Sequence, residues 1–226
     1  MYNIIRSQWF LCKKRILLML LVLVFVLCAQ FLVFSTAEKA TDEFPMLALI
    51  ATMLFTGVAA GILMYGYAER IQMYEIMAGF TPHQIILGRT AICLPITIVY
   101  LGCFTVMCLC FDNSPGMVHR LLLFWVIGIR SVLGVVFLSP LTKESSFAPI
   151  GSFMLLLIFG QSDLHAVAQS PLAVLCCGQC VSLGIEITEG FVIKIIATAI
   201  VSCIIYYLIG YFTLKMKFDL EPHKLT

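Results

Sequence analysis

The chain is 226 residues long, 62% hydrophobic and only 12% charged, with a mean hydropathy of +1.05. A soluble domain of this length has too few polar groups to cover so much apolar surface, which excludes a water-soluble domain and indicates an integral membrane protein, for which no nucleic-acid partner is expected. The net charge of +2 adds little, because in membrane proteins the placement of charge matters more than its sum.

Residues 1–15 precede the first apolar run. Tyr2, Ile5, Trp9, Cys12 and Ile16 fall on one stripe at helical spacing, with Arg6, Ser7, Lys13 and Lys14 off it. That pattern predicts a short helix lying in the membrane interface. Residues 16–34 carry no charge and are numerous enough to cross the hydrocarbon core. Ser35-Thr36-Ala37 has the small-x-small form of a cleavage site, but the apolar run is too long for a typical signal peptide and favours a retained span.

Glu38, Lys39, Asp42 and Glu43 mark residues 35–45 as a polar loop before a second span, 46–68. Gly57 and Gly61 in that span form a small-xxx-small pair that lets helix backbones approach closely, within one subunit or across a dimer seam. A polar stretch then separates the second span from the third. Arg70–Met77 contains helix formers without a breaker, and Gly79 ends the segment because glycine takes the left-handed turn conformation at little cost. Thr81-Pro82-His83-Gln84 restarts a helix: Thr81 caps the free amides, Pro82 suits the first helical position and Gln84 completes a capping box. The prediction is helix, sharp corner and a new helix running straight into the third span, 91–111.

Ser114-Pro115-Gly116 turns the chain into a fourth span, 121–140. Arg130 sits near its middle, where a charge has to face protein, water or a partner. Two readings are open for it: a pathway residue meeting an anionic substrate group, or a structural ion pair. A fifth span covers about 148–164. The segment after it is weakly apolar and interrupted by Pro171, Gly178 and Gly184, as expected of short re-entrant helices at the outer interface. The last span is 191–212. The fold class predicted is therefore an all-α integral membrane protein of six transmembrane helices forming one transmembrane domain, 1–226.

Orientation follows from the lysines and arginines. With both termini cytoplasmic, Arg6, Lys13, Lys14, Arg15, Arg70, Arg89, Lys143, Lys215, Lys217 and Lys224 lie inside, and Lys39, Arg120 and Lys194 outside. This is the positive-inside pattern. Of the ten cysteines, Cys176, Cys177 and Cys180 lie near Asp163 and His165, a set that zinc would accept. The others are scattered through apolar stretches as small hydrophobes, so no metal site is assigned. Gly88-Arg89-Thr90 has the form of the end of a phosphate loop, but His83 stands where the first glycine belongs and Arg89 replaces the lysine. No nucleotide site and no cofactor are expected in this chain.

The layout, together with the run Tyr74-Glu75-Ile76-Met77-Ala78-Gly79-Phe80-Thr81-Pro82-His83-Gln84-Ile85-Ile86-Leu87-Gly88-Arg89, resembles a type-2 ABC exporter permease. The layout resemblance covers the whole chain and the motif only the corner, where Arg89 follows Leu87-Gly88 without the family's intervening residue. The resemblance implies that the corner is a cytoplasmic coupling helix docked on a separate ATPase subunit, which binds ATP and Mg. It also implies a second permease copy or related permease, a bacterial plasma membrane and export of substrate. In that reading Met73, Tyr74, Met77 and Phe80 supply adaptable contacts, Glu75 and Arg89 set register, and Thr81 and His83 complete the surface. The small size favours a peptide or small amphipathic substrate. Two rivals belong to other classes. An intramembrane enzyme needs bases in the membrane, whereas His83, His119, His165 and His223 all fall in loops, corners or tails. A channel or accessory immunity protein does not require a stiff corner.

Overall fold

The computed structural model describes residues 2–36, 74–111, 117–141 and 189–220. Four long helices carry this part of the chain: α1 (Tyr2–Thr36), α2 (Pro82–Phe111), α3 (Met117–Leu138) and α4 (Glu189–Leu220). No strand occurs among the described residues. The helices α2 and α4, and α3 together with the turn that ends it, each provide a stretch long and apolar enough to cross a bilayer, namely Pro82–Cys110, Ile196–Lys217 and Met117–Leu141. The chain is thus an α-helical, membrane-embedded protein. The predicted spans 46–68 and 148–164, the re-entrant segment, Gly57 and Gly61, and Asp163, His165, Cys176, Cys177 and Cys180 lie outside the described residues.

No break separates the predicted interfacial helix from the first apolar run. Residues 2–36 contain neither glycine nor proline, and α1 continues through all 35 of them. At 1.5 Å per residue it is about 50 Å long. The helix α3 tightens at its end into a 3-10 turn, Ser139–Leu141, where Pro140 prevents its continuation.

Side-chain pairings fix the directions of the helices. Trp125 Nε1 donates to Thr105 Oγ1 (2.9 Å), Phe104 meets Phe124 edge-on with ring centroids 5.1 Å apart, and Arg89 reaches Ser139, so α2 and α3 run antiparallel. Arg130 bonds Ser202, Phe137 packs edge-on to Tyr207, and Lys217 Nζ donates to the Pro140 carbonyl (2.9 Å), so α3 and α4 run parallel. The first residues of α1 cluster with the first residues of α2: Ile4, Ile85, Ile86 and Leu214 form one fully buried core. Leu23 and Val26 join Cys93, Tyr100, Leu101 and Val132 in a second core further along, so α1 runs parallel to α2. Cys93 and Cys108 pack within the apolar cores as small hydrophobes.

These directions bring the start of α1, the corner, the 3-10 turn and the end of α4 to one end of the bundle. The basic side chains Arg6, Lys13, Arg15, Lys215 and Lys217 gather there too. The helix α3 is the most enclosed. The outer face of α4 is an exposed apolar stripe of Ile200, Ile204, Leu208 and Phe212.

Candidate functional site

The corner is built by two reciprocal capping motifs set back to back. At the end of the helical turn 74–77, the Gly79 amide donates to the Ile76 carbonyl (2.9 Å) and the Phe80 amide to the Glu75 carbonyl (3.2 Å). This is the pair of bonds that closes a helix through a left-handed residue. Gly79 occupies that position with φ 81°, a conformation that would strain any side chain. Thr81 then caps α2. Its hydroxyl accepts from the Gln84 amide (3.3 Å), while the Gln84 side chain accepts from the Thr81 amide (3.0 Å). Pro82 fills the first helical position, and Phe80 and Ile85 flank the cap within one apolar cluster. Only four residues, 78–81, lie between the helical turn and α2, and each of them is held by a turn or capping hydrogen bond. The corner is stiff for that reason.

Beneath it lies a buried polar node. Glu75, 4% exposed, accepts from Arg89 Nη2 (3.2 Å) and from Gln8 Nε2 (2.9 Å). Arg89, fully buried, also donates through Nη1 to Ser139 Oγ (3.0 Å), and Gln8 Nε2 lies 3.4 Å from the Ile85 carbonyl. Four segments therefore meet at one ion pair: the first turns of α1, the corner, the second turn of α2 and the end of α3. Two buried charges are tolerable only when paired and bonded in this way. The corner itself makes the pairing possible, because it folds Glu75 back onto a residue fourteen positions later.

The structure divides the residues predicted for this surface. Tyr74 and Met77 point outward, with 69% and 64% of their surface exposed, and Thr81 and His83 are exposed as well. Glu75, expected on the docking surface, is instead turned inward as the acceptor of the node, and Arg89 is enclosed with it. Both charges find in each other the partner that an outer surface would have had to supply. Phe80 is half-buried against Ile4, Ile85 and Leu214. His83 Nδ1 shares a 2.5 Å hydrogen bond with the Tyr207 hydroxyl, which links the start of α2 to α4. Met73 lies outside the described residues. Gln8 and Ser139 were not anticipated. Their signal in the sequence is faint: one glutamine among the polar residues Asn3, Ser7 and Gln8 of the first turns of α1, and one serine before a proline.

Arg130 makes a second polar centre. It is 5% exposed, donates through Nε to Ser202 Oγ (2.9 Å) and through Nη2 to the Tyr206 hydroxyl (3.2 Å), and its guanidinium lies 5.8 Å from the Tyr206 ring centroid. The hydroxyls and the ring belong to α4, so Arg130 joins α3 to α4 through charge-assisted bonds and a cation–π contact.

Among the described residues no three His, Cys, Asp or Glu side chains group closely enough to hold a metal ion. The segment that carries the exposed tip is joined to three helices through short polar contacts. No protein-family model matches the chain, and no curated protein matches it.

Proposed function

We propose that the chain is the membrane-spanning permease subunit of an ATP-driven exporter of the type-2 ABC class. The observation that carries this reading is the corner: a doubly capped helix–turn–helix with Tyr74 and Met77 exposed at its tip and a buried ion pair at its root. An aromatic and a methionine side chain standing free at the tip suit docking into an apolar cleft on a partner. A joint without spare residues passes displacement into the bundle instead of absorbing it. The clustering of basic residues at this end supports its lying in the cytoplasm, with both termini.

In this reading the chain has six spans, works with a second permease copy or a related permease, and exports a peptide or small amphipathic molecule across a bacterial plasma membrane. ATP and Mg are bound and hydrolysed on the ATPase subunit. The docking contacts fall to Tyr74 and Met77, with Thr81 and His83 at the edge. Glu75 acts from below by fixing the corner.

The test is affinity purification from membranes in a mild detergent. The wild-type chain should bring with it a subunit that carries a phosphate loop and hydrolyses ATP. The Tyr74→Ala/Met77→Ala variant should be recovered folded but without that subunit. Failure of any such ATPase to accompany the wild-type chain, or its full retention by the variant, overturns the reading.

A further inference from the structure

We propose that Gln8 is a positioning residue that clasps the N-terminal helix to the corner, so that α1 moves with the corner as a second lever beside α2. The lever role rests on the exporter reading above; the clasp does not.

Three observations carry the clasp. Gln8 is fully buried although it is polar and lies in the first turns of its helix, and its amide donates to Glu75 (2.9 Å). Gly88 gives it the space. A methyl group placed on Gly88 would overlap the Gln8 carboxamide oxygen, so the Gln8 side chain would have to shift from its place in the node. That oxygen finds no hydrogen-bond donor among the described residues. The orientation of the side chain is therefore set by what its amide group gives to Glu75, at the expense of its own acceptor. Next to Gln8, Trp9 and Phe10 are exposed, and Ile4 one turn earlier is fully buried. Ile4 and Gln8 together form the face by which the first turns of α1 hold the bundle.

Displacement at Tyr74 and Met77 thus passes through one carboxylate in two directions. Glu75 Oε2 leads through Arg89 to α2 and through Ser139 to α3, and Glu75 Oε1 leads through Gln8 to α1. A coupling device that moved α2 alone would need only the first route. The second route makes the apolar half of α1 follow the corner.

The experiment begins without any partner. Spin labels are placed at the exposed positions Asn3 and Ala78 in a background cleared of native cysteines, and their distance distribution is measured in nanodiscs. The clasped chain should give one narrow distribution. Gln8→Ala and Gly88→Ala should each broaden it, and the double variant should be no broader than Gln8→Ala, because the added methyl enters the space that Gln8 vacated. Gln8→Glu provides a signature that mere space-filling lacks. At neutral pH its carboxylate faces Glu75 and competes for Arg89, which should broaden the distribution. On acidification the protonated carboxyl can donate as the amide did, and the distribution should narrow again. A narrow distribution in Gln8→Ala, or a Gln8→Glu variant that matches wild type at every pH, overturns the clasp whatever the chain transports.

The second arm uses vesicles containing the chain and its ATPase subunit. Gln8→Ala should retain the subunit and its hydrolysis rate but move less than half as much substrate per ATP. Broadened distances with unchanged transport per ATP overturn the lever and leave the clasp. An ATPase that never binds the wild-type chain removes the exporter reading and the lever with it, while the distance data decide the clasp alone.

Discussion

Removal of Glu75 should be among the most damaging single changes at the corner. In Glu75→Ala the fully buried Arg89 guanidinium loses its carboxylate at 3.2 Å, and the Gln8 amide loses its acceptor at 2.9 Å. Breaking a buried ion pair from one side costs about 3–5 kcal/mol, because the remaining charge stays in an apolar surround. That is a large share of a typical stability of about 5–15 kcal/mol. Arg89→Met leaves the buried carboxylate without an opposite charge, with only the Gln8 amide still bonded to it, and should cost a similar amount. Glu75→Met combined with Arg89→Met removes both charges, and replacements of that kind are near neutral. The double variant should therefore be more stable than either single charge-removing variant, an inversion that independent sites cannot produce. Equilibrium unfolding in mixed micelles reads this out through Trp9 and Trp125, the chain's two tryptophans. Single variants within about 0.5 kcal/mol of wild type, or a double variant equal to the sum of the singles, would refute the account of the node.

The corner's caps, the α3–α4 joint and the topology can be tested separately. Thr81→Ala should cost about 1 kcal/mol of capping, and Gly79→Ala about 1–2 kcal/mol for a side chain at positive φ; both should keep the ATPase bound but lower transport per ATP hydrolysed, measured in reconstituted vesicles. Arg130→Ala should lower unfolding stability by about 1–3 kcal/mol by removing the charge-assisted bonds to Ser202 and Tyr206, with Tyr206→Phe milder; lost transport at unchanged stability would instead place Arg130 in the pathway. In intact cells an impermeant thiol reagent should label Lys39→Cys and spare Ala78→Cys, each in a cysteine-free background. Equal labelling of both would contradict the proposed orientation.

The corner was readable from sequence because its chemistry is local. Gly79, Thr81, Pro82 and Gln84 act within a few residues of one another, and each has a conformational preference strong enough to act before any tertiary contact forms. The apolar runs of α2, α3 and α4 were readable for the same reason. The node was not. Its members stand at positions 8, 75, 89 and 139, and only helix packing decides that Glu75 turns inward instead of facing a partner. Composition likewise could not show that Arg130 meets hydroxyls on α4, since Ser202 and Tyr206 are ordinary residues in an apolar helix. The join at residue 15 was misleading for a different reason. A change from amphipathic to wholly apolar sequence marks a change of surroundings, and without glycine or proline the backbone has no cause to break there.

The most direct measurement places a photoreactive amino acid at Met77, the exposed tip of the corner, and irradiates native membranes. The account predicts one dominant crosslink to an ATP-hydrolysing subunit, lost when Tyr74 is replaced by alanine and absent when the photoreactive group is moved to Val118 at the opposite end of the bundle. Crosslinks from Met77 to lipid alone, or equal capture of the ATPase from both positions, would contradict it.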